Sequence, residues 1–166
     1  MSGGRAYTAT LAKDLVRIEV GGVLYALEVE RIREIVNPLP IIERPREQAF
    51  VLGVADYRDE VAAVVDLRSL FGVAAADAEL RTKWIILSTS GMSVGVVVDA
   101  VLDVFSSAAI PQREVPVLDT RQRERGITSA YRFENRLVFL LDADQLVQPA
   151  LELPRDAFSF LPAEAP

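Results

Sequence analysis

Two pairs of segments in this chain match each other, and this repeat limits what the chain can fold into. Residues 25–36 (YALEVERIREIV) align with residues 94–105 (VGVVVDAVLDVF), and residues 57–71 align with residues 133–147. The matching positions are Ala26 with Gly95, Glu30 with Asp99, Glu34 with Asp103, Asp66 with Asp142 and Leu70 with Leu146. One interpretation is that strand-and-cap units simply look alike. The other is a duplicated unit of roughly 75 residues.

Each unit reads as a hairpin, a short apolar helix, a second hairpin and a capped turn. Short, strand-rich units protect their edges best by curling into small barrels. The repeat therefore predicts a mainly β protein built of two small barrels packed together. A crevice between two such bodies is a favoured place for binding.

Residues 53–72 (GVADYRDEVAAVVDLRSLFG) show the strand and cap most clearly. The apolar, β-branched run at 61–65 is typical of a buried strand. Asp66 then stands where a helix N-cap belongs, and Gly72 is a common helix stop. Asp142 is expected to cap residues 143–147 in the same way.

The short helix of each unit is predicted from spacing. Val29, Ile32, Ile35 and Val36 recur at helical intervals with charges between them, which predicts a helix over 29–36 that ends before Pro38. The matching residues 99–105 are expected to take the same form.

Composition excludes several classes of function. The net charge of −6 argues against nucleic acid and against an anionic membrane surface. The chain has no cysteine and no histidine, so disulfides, thiolate metal sites and histidine chemistry are ruled out. No phosphate-binding glycine loop or nucleophile motif occurs. We therefore expect no enzyme, no cofactor and no metal. Because no long apolar run occurs, we expect a soluble cytoplasmic protein without membrane insertion.

Two charged groups have more than one interpretation. Asp56, Asp59 and Glu60 form either a solvated turn, which is the common meaning of such a cluster, or a weak acid/base or metal site. Glu34 interrupts an apolar face, and Arg58 stands at the tip of the polar turn. They form either a solvated surface pair or a pair that steers a partner.

These segments resemble the signatures of a known family. Residues 53–72 resemble the central signature of the CheW-like domain family, residues 94–106 its second signature and residues 25–36 its first. The resemblance covers about 15–147. It implies two intertwined five-stranded SH3-like barrels and a non-catalytic adaptor of chemosensory arrays. Such adaptors join the cytoplasmic tips of methyl-accepting receptors to the regulatory domain of a CheA-type histidine kinase.

The resemblance also implies roles for individual residues. Glu34 and Arg58 match the acid and the arginine tied to receptor coupling, and Gly53 matches a kinase-binding position. Ile32, Val101 and Val104 match the apolar lining of the receptor groove, and Gly95 allows close approach to it. We predict that Ile35 lines the same groove.

The turn departs from the family pattern at Asp56, Tyr57 and Asp59, and the next strand departs at Ala63. We expect Asp56 and Asp59 to hold Arg58 locally, and the hairpin to differ in shape without its glycine. A divergent adaptor that binds one partner only, limiting or redirecting array assembly, is one alternative function. A small-ligand-binding β-barrel is another.

Domain limits follow from the same patterns. We expect a flexible arm at 1–13, a CheW-like domain of two pseudo-repeated subdomains at 14–148, and a proline-containing tail at 149–166.

Overall fold

The protein is described by a computed structural model that covers residues 12–43, 50–73, 79–89, 91–109 and 126–151. The described residues form eleven strands, two α-helices and two short 3₁₀ turns. The strands are β1 (Asp14–Val20), β2 (Val23–Glu28), β3 (Ile32–Val36), β4 (Ile42–Glu43), β5 (Val51–Tyr57), β6 (Glu60–Asp66), β7 (Lys83–Thr89), β8 (Met92–Val98), β9 (Ala100–Ser106), β10 (Ile127–Phe133) and β11 (Arg136–Leu141). The helices are α1 (Leu67–Leu70) and α2 (Ala143–Leu151), and the 3₁₀ turns are Val29–Arg31 and Ser107–Ala109.

The strands form two sheets, and each sheet takes strands from both halves of the chain. The first sheet has five strands in the order β10-β11-β2-β1-β9, and the second has six in the order β3-β7-β8-β6-β5-β4. The repeat relates the two orders strand by strand. The strands β10, β11, β2, β1 and β9 of the first sheet match β5, β6, β8, β7 and β3 of the second, in that order. In both sheets a strand of one half pairs in parallel with a strand of the other, β2 with β11 and β6 with β8. The protein is therefore mainly β and intertwined, as predicted, and β4 is an additional short strand.

The irregularities of the two sheets repeat as well. The pairing of β3 with β7 skips Arg33, and the pairing of β9 with β1 skips its counterpart Leu102. A second shift passes over Leu52 in β5 and over Thr128 in β10. A β-bulge is a specific local feature, so its recurrence at matching positions supports a duplicated unit over a chance likeness of strands.

The central strands of both sheets are buried on both faces, which explains their continuous apolar runs in the sequence. Ala63 and Val65 face a central core between the sheets, whereas Ala62 and Val64 face a second core on the far side of their sheet. The first sheet has the equivalent outer core around Leu24.

Each sheet curls until its outlying strands meet through side chains. In the first sheet, the rings of Phe105 on β9 and Phe133 on β10 lie 5.8 Å apart between centroids. Four strand spacings separate β9 from β10, which in a flat sheet amounts to about 19 Å. In the second sheet, Tyr57 on β5 bonds to Glu34 on β3 across the same number of spacings. Among the described residues no main-chain ladder joins these strands, so side chains close the two SH3-like barrels.

The predicted helix over 29–36 is wrong. A 3₁₀ turn over Val29–Arg31 leads into strand β3, and the matching residues form strand β9. The bulge explains the misleading spacing. Because it adds a residue at Arg33, Ile32 and Ile35 both lie opposite central-core residues of β7, three positions apart as in a helix.

The helix caps are confirmed, and the second helix is longer than expected. The Asp66 carboxylate accepts from the backbone N–H of Arg68 at 3.0 Å. The Asp142 carboxylate accepts from the N–H of Asp144 at 2.8 Å, and α2 continues to Leu151. Of the predicted arm and tail, residues 1–11 and 152–166 lie outside the described residues.

Candidate functional site

Six polar side chains from three parts of the chain converge at the open seam of the second sheet. We call them the hairpin cluster. The turn between β5 and β6 supplies three of them, the bulge of β3 two, and β8 one. The six members are Tyr57, Arg58, Glu60, Arg33, Glu34 and Ser93.

The β5–β6 turn has the geometry of a two-residue type I′ hairpin although it contains no glycine. Arg58 has φ of 46° and Asp59 has φ of 62°. The matching turn between β10 and β11 does the same, with φ of 49° at Glu134 and 65° at Asn135. The missing glycine is therefore tolerated, and both turns keep the left-handed backbone that this hairpin requires.

Glu34 and Arg58 form a bidentate pair. Arg58 Nε donates to Glu34 Oε1 at 2.8 Å, and a terminal nitrogen of Arg58 donates to Oε2 at 2.8 Å. The Tyr57 hydroxyl also donates to Oε1, at 2.6 Å. The hydrogen bonds from Arg58 and then Tyr57 lower the pKa of Glu34 to about 2, and the pair raises the pKa of Arg58. Glu34 is thus a carboxylate across the whole physiological pH range.

The expectation that Asp56 and Asp59 hold Arg58 locally is wrong. Arg58 reaches back across the seam to Glu34. The two aspartates are exposed at the hairpin. The reason is geometric: the left-handed turn and the curl of the sheet bring Arg58 within range of a carboxylate that Tyr57 already orients.

A second ion pair braces the same cluster. Arg33 donates to Glu60 at 2.6 Å and to the Ser93 hydroxyl at 3.0 Å, and Ser93 donates to Glu60 at 2.8 Å. The hydrogen bond from Arg33 lowers the pKa of Glu60 and raises that of Arg33. Neighbouring residues of a regular strand point to opposite faces, and the bulge at Arg33 lets both Arg33 and Glu34 join one cluster.

The predicted apolar groove residues lie on the inward faces of two edge strands. Ile32 and Ile35 on β3 pair opposite Leu87 and Ile85, which are central-core residues. Val101 and Val104 on β9 pair opposite Ile18 and Val16 of the same core. Ile32 and Val101 pack against that core, whereas Ile35 is 38% exposed and Val104 is 61% exposed. The four apolar residues therefore lie on β3 and β9, which are edge strands of the two different sheets, and they face the central core between the sheets.

The structure does not place the charged pair and the apolar residues on one face of the sheet. Glu34 lies opposite Ile86, which belongs to the outer core, so it projects to the other side of β3 from Ile32 and Ile35. Because β3 is an edge strand, a partner that approaches this edge meets both sides of it.

The two predicted glycines are buried. A Cβ at Gly95 would lie 3.0 Å from Trp84 Cε3, so this glycine makes room for a core tryptophan. A Cβ at Gly53 would lie 2.3 Å from the carbonyl oxygen of Ile42, and its φ is 148°. Gly53 therefore lets β4 lie close against β5.

Sequence reasoning paired Glu34 with Arg58 but missed the residues that support them. Tyr57 counted only as a departure from the family pattern, and Arg33 and Ser93 had no assigned role. The bulge that brings Arg33 and Glu34 together leaves no mark in the residue pattern. An aromatic residue with a hydroxyl, directly before the turn arginine, was the one available signal for Tyr57.

Known proteins resemble this chain over most of its length. A family model described as the CheW-like domain matches residues 14–150. The chain belongs to this family. The chemotaxis protein CheW of Rhizobium meliloti is 27% identical over 137 residues, which cover 81% of this chain and 86% of that protein. The chemotaxis protein CheW of Klebsiella aerogenes is 24% identical over 138 residues, covering 83% of each chain.

The fold agrees with a solved member of the family. The crystal structure of the scaffolding protein TtCheW from Thermoanaerobacter tengcongensis superposes with a TM-score of 0.69 at 23% identity, covering 83% of this chain and 94% of that one. No helix within the described ranges is long and apolar enough to cross a bilayer.

Proposed function

We propose that this CheW-like protein is a non-catalytic adaptor of a cytoplasmic chemosensory array. In this role it couples a methyl-accepting receptor to a CheA-type histidine kinase. The observation that carries the proposal is the fixed Glu34–Arg58 pair at an edge that also presents apolar side chains. Arg58 is 62% exposed although both its bonds to Glu34 are short, so a partner meets an ordered, accessible cation.

The receptor is the partner that best fits this edge. The cytoplasmic tip of such a receptor is a helical hairpin, and an apolar surface bordered by charge accepts one face of a helix. On β3, Ile35 is exposed and Ile32 packs against the central core; on β9, the edge strand of the first sheet, Val104 is exposed and Val101 packs against the same core. We assign receptor contact to these four residues and to Glu34 and Arg58, and a supporting role to Gly95 beneath Trp84.

The kinase contact is assigned to the region of Gly53. Gly53 is buried under the carbonyl of Ile42, so a kinase regulatory domain would not touch it directly. The domain would instead contact the surface of β4, whose position against β5 depends on this glycine. Glu43 of β4 is exposed and lies opposite Gly53 in the register. In this view Gly53 acts on kinase binding through the placement of β4.

Filled barrel interiors do not favour the small-ligand interpretation. Trp84, Ile86 and Val64 pack the outer core of the second sheet, and Tyr131 and Val138 pack that of the first. A barrel that carries a ligand needs an interior left open by its side chains.

Direct binding tests the proposal. The full chain is titrated separately with a kinase regulatory domain and with a receptor signalling fragment, and then with both together. An adaptor binds each alone and joins the two in one complex. Binding of one partner only would identify the divergent, single-partner adaptor, and binding of neither would remove the assignment.

A further inference from the structure

Tyr57 connects the barrel core to the charged surface. Its side chain is buried, with 4% of the residue exposed, and it packs in the outer core with Trp84 and Ile86. Its hydroxyl nevertheless reaches Glu34 Oε1 at 2.6 Å, the same oxygen that accepts from Arg58 Nε. One carboxylate oxygen is thus held by a surface arginine and by a group anchored in the core.

The ring of Tyr57 also lies beneath both arginines of the cluster. The guanidinium carbon of Arg33 lies 5.3 Å from the ring centroid and that of Arg58 lies 5.8 Å from it. Both distances fall within the range of a cation–π attraction. The two ion pairs therefore share one buried aromatic support.

The other barrel provides an internal comparison. Phe133 takes the place of Tyr57 in the repeat, and Asp103 takes the place of Glu34. Asp103 is bound by Arg17, with bonds of 2.9 and 2.6 Å, and Arg17 lies directly opposite it on the adjacent strand β1. The Arg17 guanidinium also lies 4.3 Å from the ring centroid of Phe133. A pair formed between neighbouring strands needs no hydroxyl to align it.

Glu34 and Arg58 are in a different situation. Arg58 comes from a turn on the far side of the seam, and two long side chains lose conformational entropy when they pair. A third bond from a core-anchored donor lets the pair exist in one arrangement before a partner arrives. The hydroxyl of Tyr57 is the feature that the other barrel lacks at this position.

We infer that Tyr57 is a positioning residue that preorganises the Glu34–Arg58 pair for the receptor helix. The inference rests on the proposed function, since it concerns the same edge. Tyr57 acts through the two charged residues and is itself covered. A partner that meets a preformed pair avoids the cost of ordering it on binding.

The substitution Tyr57→Phe removes the hydroxyl alone and installs the residue found at position 133. We expect receptor-fragment affinity to fall by about three- to tenfold, which is less than the full effect of a charge-assisted hydrogen bond, because Tyr57 orients the pair and does not itself touch the receptor. We also expect the pKa of Glu34 to rise from about 2 toward its ordinary 4.5, since the charged form loses a donor. Carboxyl NMR titration gives that pKa, and the Arg58 Nε–H signal at neutral pH reports the order of the pair.

Tyr131→Phe is the matched control. The Tyr131 hydroxyl is buried without a hydrogen-bond partner among the described residues, in the outer core of the first sheet. Its removal is expected to leave receptor affinity, the pKa of Glu34 and the Arg58 signal unchanged. A loss of affinity in both variants would show that a buried hydroxyl is merely structural here and would overturn the inference.

The outcomes separate this inference from the proposed function. If the wild-type chain binds the receptor fragment and Tyr57→Phe binds equally well, the inference is wrong whatever happens to the pKa. If the wild-type chain binds no fragment, the proposed function fails. In that case a protected Arg58 signal that Tyr57→Phe abolishes still supports preorganisation, and an unaffected signal overturns it.

Discussion

Arg58 and Glu34 are joined by two hydrogen bonds of 2.8 Å each, although β5 and β3 stand four places apart in their sheet. The pair therefore marks the seam where the sheet closes into a barrel. It is a surface pair, so its contribution to stability is small. In the proposed function its role is to present the charged group of Arg58 to the receptor.

Reversing the charge of Arg58 tests that distinction. In Arg58→Glu we expect receptor binding to fall by at least about tenfold, because the exposed cation becomes an anion beside Glu34. We expect the melting temperature to stay within about 3 °C of wild type, since exposed pairs stabilise weakly. The backbone tolerates glutamate at this conformation, as Glu134 has φ of 49° at the matching position. Binding is measured by calorimetry and stability by thermal unfolding.

The reversal Glu134→Arg serves as its control in the other hairpin. It changes the charge by the same magnitude in the opposite direction, at a left-handed turn position of the first sheet. Receptor affinity should stay at the wild-type value. Equal losses in the two variants would indicate that any charge reversal at a hairpin tip, rather than loss of the Glu34–Arg58 pair, weakens binding.

The lowered pKa of Glu34 predicts how the free energy of unfolding depends on acid pH. Its pKa is lowered from 4.5 to about 2 in the folded protein. A lowered folded-state pKa stabilises the fold above the unfolded pKa, and this contribution is lost as pH falls from about 4.5 toward 2. We therefore expect the difference in unfolding free energy between wild type and Glu34→Gln to be constant above about pH 5 and to shrink below it.

Glu60 also has a lowered pKa, but it is present in both proteins and cancels in that difference. Urea unfolding at a series of pH values gives the measurement. A difference that stays constant down to about pH 3 would mean that the carboxylate of Glu34 is not stabilised by its neighbours.

The strands and caps of this fold could be predicted from local pattern. The apolar run at 61–65 and the capping Asp66 depend on neighbouring residues, and both are found as expected. The repeat likewise predicted paired barrels, because the matching segments are visible in the sequence and short strand-rich units protect their edges by curling.

The edge strands were predicted as helices because a bulge imitates helical spacing. Val101 and Val104, three residues apart, both lie opposite central-core residues only because the register passes over Leu102. The support from Tyr57 was missed for another reason. Its hydroxyl meets Glu34 only after four strand spacings have curled closed, a relation that no local pattern records.

Gly53 is expected to act through backbone fit. In Gly53→Ala the new Cβ would collide with the Ile42 carbonyl at 2.3 Å, and φ of 148° disfavours any side chain. We expect β4 to be displaced and the free energy of unfolding to fall by roughly 1–3 kcal/mol. Kinase binding should weaken with it, and amide exchange at Val54, which pairs with Ile42, should accelerate.

Gly22→Ala separates collision from backbone strain. Gly22 has φ of +79°, and a Cβ added there would meet nothing within 4 Å, so alanine introduces strain without a clash. It should cost less stability than Gly53→Ala and leave kinase affinity unchanged. If both variants bind the kinase domain normally, β4 is not part of the kinase contact.

The turn aspartate offers a stabilising change. Asp59 has φ of 62° in a type I′ turn, whose second central position favours glycine. We expect Asp59→Gly to raise the free energy of unfolding by about 0.5 kcal/mol, as relief of left-handed strain outweighs the added chain entropy. Chemical denaturation measures it. A loss of stability would show that Asp59 supports the turn through its side chain.

Substitutions at two valines of β9 distinguish a residue that contacts the receptor from one that stabilises the core. Val104 is 61% exposed, whereas Val101 packs against the central core. We expect Val104→Asp to fold normally and to lose about tenfold or more in receptor affinity, because an apolar contact becomes a desolvated charge. Val101→Asp should instead lower the free energy of unfolding by roughly 2 kcal/mol or more. Leu137→Asp, at an exposed position on β11, is the control and should bind as wild type. Undiminished receptor binding by Val104→Asp would remove β9 from the contact surface.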